Sequence, residues 1–173
     1  MRILEPGIVK YQVRDALLYW VVIPLGVIVS GWGVDLLLGL QRLPSSLLLS
    51  AAALAFIGAG LVFIWRSMRD LSRLGGGTPN PRQPPRRLVT GGVYGLSRHP
   101  MFFGYDLAAL GVVLLCRSWG MLLASLPLFL WGQVLFLRRE ERYLRRRYRE
   151  SFSAYADRVP FLVPGIHFRR HTS

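Results

Sequence analysis

Four long apolar stretches alternate with short polar segments along the chain. They cover residues 17–40, 47–65, 101–116 and 119–137, and only Asp35 and Asp106 place a charge within them. Because about 20 apolar residues in a helix cross the hydrocarbon core of a bilayer, this pattern predicts four transmembrane helices arranged as two hairpins. No stretch alternates with a period of two, so we expect an all-α integral membrane protein without a sheet.

The polar segments divide the chain into three predicted regions. Residues 1–65 form an N-terminal transmembrane hairpin, residues 66–97 an Arg/Gly/Pro-rich connection, and residues 98–173 a second hairpin with a C-terminal amphipathic helix. The connection contains three consecutive glycines followed by several prolines, which disfavour a helix there. It lacks the pattern of a phosphate-binding loop, so a flexible loop is expected.

Basic residues alternate in number between the apolar stretches. Three precede the first stretch, one follows it, seven follow the second, one follows the third and ten follow the fourth. This alternation predicts that both termini, the long connection and the C-terminal helix are cytoplasmic. The arginines therefore flank membrane spans, which argues against nucleic-acid binding. Cys116 is the single cysteine, so we expect neither an internal disulfide nor a cysteine metal site.

The fourth apolar stretch continues into a strongly basic helix. One face of this extension is apolar apart from one acid and carries Leu137, Glu141, Leu144, Tyr148, Phe152 and Tyr155. Seven arginines between residues 138 and 149 occupy the rest. Such a helix suits an anionic lipid surface, and the alternative is a solvated charged face.

Glu141 and His99 are the strongest candidates for chemistry. A carboxylate on the buried face needs a cation, and Glu141 either holds a cationic ligand group or pairs with an arginine of the connection. His99 precedes Pro100 and is expected at the N-cap of the third helix. The N–H groups of residues 101–103 would then face an anionic ligand beside Arg98, whereas the alternative role of His99 is simply to cap the helix.

Two other features of the third helix are expected to be mainly structural. Gly104, Ala108 and Gly111 lie on one face and permit close approach of another helix. Asp106 is an ionisable residue within a span, and we expect it to reach Arg98 or the membrane interface.

The polar segments of the second half carry a set of motifs. In order they are Leu88-Val89-Thr90-Gly91-Gly92-Val93-Tyr94, Arg98-His99-Pro100, Gly104, Glu140-Glu141, Leu144, Tyr155 and Arg158-Val159-Pro160. Together they resemble the signature of the isoprenylcysteine carboxyl methyltransferase and phospholipid methyltransferase superfamily. The first hairpin resembles that family only in being apolar.

The resemblance implies that S-adenosylmethionine binds to the second half of the chain on the cytosolic side. By position, the cofactor contacts would come from Tyr94, His99, Pro100, Met101, Phe102, Gly104, Glu140 and Glu141. Glu141 in particular would hold the cationic methionine part. Arg98 and Arg158 would serve catalysis, with Arg158 near the acceptor or closing the pocket, and no metal is implied.

Three departures from the family pattern stand out. Phe102 replaces a tyrosine, Tyr148-Arg149 replaces Phe-Gly, and Phe152 replaces another tyrosine. The first change removes a hydroxyl that would bond the cofactor or the acceptor. The other changes are expected to be tolerated on a packed face.

The predicted function is therefore methyl transfer from S-adenosylmethionine to a lipidic or small apolar acceptor, such as a phospholipid amine, a carboxylate or a thiol. This reaction depends mainly on alignment, so no general base is predicted. The alternatives are an NADPH-dependent membrane reductase of the sterol-reductase type and a non-catalytic membrane protein that keeps the fold. The arginine-rich, nearly lysine-free composition suggests a bacterial inner membrane.

Overall fold

The computed structural model of the protein describes residues 21–77 and 85–166. Its elements, in chain order, are α1 (Ile23–Leu38), α2 (Leu47–Gly75), a 3₁₀ turn (Gly92–Gly95), α3 (Pro100–Cys116), a π-helical turn (Met121–Ser125) and α4 (Leu126–Arg158). No strand occurs in these two ranges, as the sequence predicted. The start of the first apolar stretch, residues 78–84 of the predicted loop and residues 167–173 lie outside the described residues.

The helix ends follow local sequence signals. Gly39 terminates α1 in the left-handed conformation with φ 61°, and the Ser46 side chain caps α2 by accepting a hydrogen bond from the Leu49 N–H at 3.0 Å. Pro100 opens α3, and Arg117 ends it with φ 53°. Both predicted hairpin turns therefore lie where the polar residues indicated.

Two helical segments are long and apolar enough to cross a membrane. These are Leu47–Gly75 and the continuous stretch Met121–Arg158, whereas α1 and α3 are shorter. Large apolar side chains such as Leu36 and Leu47 are 84% and 88% exposed, which fits contact with lipid rather than water. These features are those of an integral membrane protein, and the crossing of all four helices stays a prediction.

Helices α2 and α3 approach each other closely through small residues. A Cβ added to Gly104 would lie 2.7 Å from the carbonyl oxygen of Gly60, and one added to Gly111 would lie 2.7 Å from the Ile57 side chain. The rings of Phe63 and Phe103 meet edge to face, with centroids 5.0 Å apart. The predicted small-residue face is confirmed, and α2 and α3 form the most extensive helix contact of the described chain.

Helix α4 carries the apolar stretch and its basic extension without interruption as far as Arg149. Leu137, Glu141, Phe152 and Tyr155 are all buried, which confirms the inward stripe. Arg149 has φ 45° and ψ −119° and kinks the helix. The expectation that residue 149 lies on a packed face is wrong, because Arg149 is exposed, and its backbone conformation is one that favours glycine.

The residues after the kink return to the start of α3. Phe152, Tyr155 and Val159 form a buried cluster against Leu88 and neighbouring side chains. The Arg98 N–H donates to the Pro160 carbonyl at 2.9 Å, and the Ser97 hydroxyl donates to the Leu162 carbonyl at 2.7 Å. The C-terminal segment and the beginning of α3 therefore form one unit.

Candidate active site

His99 occupies the N-cap position of α3, as its place before Pro100 predicted. Its side chain makes no capping hydrogen bond, and the Ser97 hydroxyl instead accepts from the His99 N–H at 3.1 Å. The His99 imidazole faces Glu140 and Glu141 of α4 and does not cap α3. The expectation that Phe103 would offer its N–H to a ligand is wrong, because this group donates to the His99 carbonyl at 3.0 Å as the first hydrogen bond of the helix.

Glu141 lies at the centre of a buried group of charged side chains. Its Oε1 is 2.9 Å from Arg98 Nε and 3.6 Å from His99 Nε2. The Glu141 and His99 side chains are each 5% exposed and that of Arg98 13%. A terminal N–H of Arg98 also donates to the Ala156 carbonyl at 3.1 Å. We call Arg98, His99 and Glu141 the ion cluster.

The structure shows one of the two roles left open for Glu141, the pairing with an arginine. The carboxylate pairs with Arg98, which precedes α3, so its negative charge is matched within the protein. Glu141 is also absent from the residues that line the adjacent cavity. Contact of Glu141 with a cofactor stays a prediction, and its contacts with the site run through Arg98 and His99.

Glu140, the neighbouring residue, is the carboxylate that faces the cavity. Its side chain is 41% exposed, and its Oε2 is 3.9 Å from His99 Nδ1. Rotation by about 100° per residue along a helix places consecutive side chains in different surroundings. Glu140 therefore lines the cavity, whereas Glu141 lies outside the lining and contacts Arg98 and His99.

A cavity of about 590 Å³ lies between the end of α2, the segment after residue 84, the start of α3 and the basic part of α4. This volume falls within the range of roughly 300–1,000 Å³ usual for ligand sites. Its walls are mostly apolar or aromatic, with Leu71, Leu88, Val89, Pro100, Met101, Phe102, Phe136, Leu144, Tyr148 and Phe152 among the lining residues. Charged groups at its edge come from Arg87, Arg139, Glu140 and Arg147.

S-adenosylmethionine fits the chemistry of this cavity. Apolar and aromatic walls suit its adenine ring, and an accessible carboxylate beside His99 suits its cationic groups. Tyr94, Arg98, His99, Pro100, Met101, Phe102 and Glu140 all line the cavity among the residues assigned from the motifs. Gly104 does not, because it is buried against Gly60 of α2.

The remaining candidate residues lie away from the cavity. Arg158 is exposed, its Nε donates to the Ala154 carbonyl at 3.1 Å, and it is absent from the lining. Asp106 accepts from the Gln133 amide at 2.8 and 3.0 Å, so its partner is on α4 and not the expected Arg98. No sequence pattern singled out Gln133, since a single amide in an apolar helix has many explanations.

A 3₁₀ turn that carries Tyr94 is fixed from two sides. Asp70 of α2 accepts from the Val93 N–H at 3.0 Å, and the Tyr155 hydroxyl donates to the Tyr94 carbonyl at 2.6 Å. Burial raises the pKa of the Tyr94 phenol above its ordinary value, and the carboxylates of Glu140 and Asp70 raise it further. Tyr94 therefore stays protonated at neutral pH and cannot act as a base.

Asp70 was missed by the sequence reasoning. It lies among arginines near the end of α2. The sequence feature that distinguishes it is that residues 66–97 contain no other acid. The φ of 63° at Gly92 brings the backbone next to this carboxylate, where a side chain at residue 92 would collide with it.

Part of the chain is similar to known proteins. The sequence model of the family described as phospholipid methyltransferase matches residues 48–151. The chain belongs to the phospholipid methyltransferase family. The matched range contains α2 except Leu47, all of α3, the ion cluster and the cavity residues that precede the kink. The family resemblance seen in the motifs is thus confirmed.

A plant protein is similar to part of this phospholipid methyltransferase family member. Protein-S-isoprenylcysteine O-methyltransferase B of Arabidopsis thaliana is 33% identical over 89 residues, which are 49% of this chain and 43% of that protein. The aligned part therefore spans less than half of the plant relative. No solved structure matches the chain.

Proposed function

We propose that this protein is a membrane methyltransferase that uses S-adenosylmethionine and methylates a lipidic or small apolar acceptor. The observation that carries the proposal is the accessible Glu140 carboxylate beside His99, at the edge of an apolar cavity, in a chain of the phospholipid methyltransferase family. When bound, the cofactor would supply a methyl group activated by a sulfonium.

Glu140 is the residue to which we assign the cationic part of the cofactor. A carboxylate in a largely apolar site attracts an ammonium or sulfonium more strongly than it would in water. His99, 3.9 Å from Glu140, limits the positions that this carboxylate can take. Arg98 and Glu141, the other two members of the ion cluster, keep His99 directed at the cavity, so they act as positioning residues.

The aromatic and aliphatic walls would contribute by alignment and by excluding water. Phe102 and Phe136 both line the cavity and contact each other, with ring centroids 5.9 Å apart. An acceptor held against such side chains loses freedom before reaction, and this ordering can lower a barrier by several kcal/mol. No base is assigned, because methyl transfer depends mainly on alignment.

The test measures the thermal stability of the purified protein in detergent with and without S-adenosylmethionine. A ligand that binds only the folded state raises stability as its concentration exceeds its Kd. Glu140→Gln should weaken this binding by about tenfold or more, because a charge-assisted contact is lost. Glu150→Gln is the matched control, since Glu150 is exposed on the same helix and does not line the cavity.

The outcomes separate the possible functions. Equal cofactor binding by wild type and Glu140→Gln would refute the role of Glu140, and no stabilisation of wild type would refute the use of S-adenosylmethionine. Stabilisation by NADPH instead would favour a reductase. A transfer assay with labelled cofactor and extracted lipids then tests the methylation itself.

A further inference from the structure

Asp70, near the end of α2, bonds to a segment of the chain outside its own helix. Its Oδ2 accepts from the Val93 N–H at 3.0 Å. Arg66 and Arg73 lie four residues before and three residues after Asp70, a spacing that favours ion pairs along a helix. No ion pair between described residues includes Asp70, however. The carboxylate therefore bonds the backbone of another segment and not the arginines of its own helix.

Gly92 makes the close approach of this segment to α2 possible. Its φ of 63° is a left-handed conformation that favours glycine. A Cβ added to Gly92 would collide with the Asp70 carboxylate and lie 2.7 Å from its Cγ. The carboxylate therefore fills the space between α2 and the 3₁₀ turn, and no room remains there for a methyl group.

Hydrogen bonds continue from Val93 to His99. The Val93 carbonyl accepts from the Ser97 N–H at 3.2 Å, and the Ser97 hydroxyl accepts from the His99 N–H at 3.1 Å. Ser97 is fully buried, and its hydroxyl donates to the Leu162 carbonyl at 2.7 Å. We call residues 93–99 the anchored segment, because α2 holds its first residue and the C-terminal segment holds Ser97.

The anchored segment supplies three residues to the wall of the cavity, namely Tyr94, Arg98 and His99. The last of these has its Nδ1 3.9 Å from Oε2 of Glu140. Asp70 itself is absent from the lining. A displacement of the anchored segment would therefore change the surroundings of Glu140, although Asp70 touches no ligand.

We infer that Asp70 is a positioning residue of the cofactor site, which holds the Val93 N–H and thereby keeps Tyr94 and His99 in place beside Glu140. The inference rests on the proposed function, because it concerns binding of S-adenosylmethionine at that site. A displacement of about 1 Å can cost a site on the order of a hundredfold in rate. The N-terminal hairpin would thus contribute to cofactor binding through Asp70 without contacting the cofactor.

Asp35 provides a matched comparison. This residue of α1 accepts from the Gly120 N–H at 2.7 Å, so its carboxylate also joins a helix to the backbone of another element. Neither Asp35 nor Gly120 lines the cavity. Loss of the Asp35 carboxylate should therefore lower stability without changing the cavity, which is the result expected of a purely structural contact.

The experiment measures S-adenosylmethionine affinity by calorimetric titration of the folded protein in detergent. Asp70→Ala should weaken binding by about tenfold, whereas Asp35→Ala should bind as wild type does. Asp70→Asn should keep most of the affinity, because an amide oxygen can accept the same hydrogen bond. Unchanged affinity in Asp70→Ala, or an equal loss in Asp35→Ala, would overturn the inference. A loss in Asp70→Asn as large as in Asp70→Ala would overturn it too, since the effect would then come from charge.

Gly92→Ala tests the same contact from the 3₁₀ turn. The added methyl group displaces the Asp70 carboxylate from the Val93 N–H, so cofactor affinity should fall as it does in Asp70→Ala. In the double variant the methyl group no longer meets a carboxylate, and the two losses should not multiply. Losses that multiply would show that the two substitutions act at independent sites and would contradict the inference.

Amide hydrogen exchange of the cofactor-free protein measures the anchoring directly. Exchange in residues 93–99 should be faster in Asp70→Ala than in wild type and unchanged in Asp35→Ala, because a hydrogen bond that holds the segment is lost. Unchanged exchange in Asp70→Ala would overturn the inference. If exchange is faster but wild type does not bind S-adenosylmethionine, the proposed function fails while the anchoring by Asp70 stands.

Discussion

The two faces of α3 are built in opposite ways. Toward α2, Gly104 and Gly111 bring the backbones so close that an added methyl group would collide with the neighbouring helix. Toward α4, direct contact is far less extensive, and the space holds aromatic rings, the ion cluster and the cavity. A rigid contact on one side allows an open arrangement on the other, because α3 is already held in place.

Charged side chains on the α4 side of α3 also fall into two groups, one buried as a pair and one facing the cavity. Arg98 and Glu141 are buried as a pair and face each other, whereas Glu140, Arg139 and Arg147 line the cavity. Removing one member of a buried pair leaves an uncompensated charge, which costs stability. Removing a cavity-facing charge is expected to affect ligand binding and leave folding nearly unchanged.

The largest predicted effect comes from breaking the ion cluster. Glu141→Gln should lower the free energy of unfolding by about 3 kcal/mol or more, because Arg98 loses its carboxylate partner. Thermal or denaturant unfolding in detergent measures the loss. Glu140→Gln is the control and should lose much less stability. Equal stability of the two variants would mean that the two faces of α4 do not differ as described.

A smaller effect is expected from the face of α3 that packs on α2. Gly60→Ala places a methyl group against the Gly104 carbonyl and Ala108, and overpacking of this kind costs about 1–3 kcal/mol. Gly58→Ala lies in the same helix with open space around it, so it should be neutral or slightly stabilising. If both variants unfold at the same temperature, close packing of α2 on α3 is not what holds α3.

The smallest effect concerns the kink of α4 at Arg149. Arg149→Gly should raise stability by on the order of 1 kcal/mol, since glycine adopts a positive φ without the strain of a side chain. Arg149→Ala removes the charge but keeps Cβ, so it should give no such gain. Unfolding measurements on both variants distinguish relief of strain from loss of charge. A similar gain in both would attribute the effect to charge.

Much of the architecture was readable from the sequence. Pro100 and the turn after Cys116 predicted the bounds of α3, and helical periodicity placed Glu141 on the buried stripe. Periodicity could say that Glu141 points inward but not what it meets there. Its pairing with Arg98, and the exposure of Glu140 to the cavity, depend on how α4 crosses the start of α3.

Long-range contacts account for the other differences. Asp106 meets Gln133 because α3 and α4 are antiparallel neighbours, which is not encoded within either segment alone. Arg149 gave no local sign of a kink, since neither glycine nor proline marks that position. Only the family pattern, with glycine there, pointed to an unusual backbone.

The bonds from Ser97 and Arg98 to Leu162 and Pro160 have a consequence for biosynthesis. Helices α2 and α3 can leave the ribosome and pack against each other before the segment that completes the cavity has been translated. A nascent chain therefore holds an unfinished binding site until residue 162 emerges, and assembly of the site follows membrane insertion instead of guiding it.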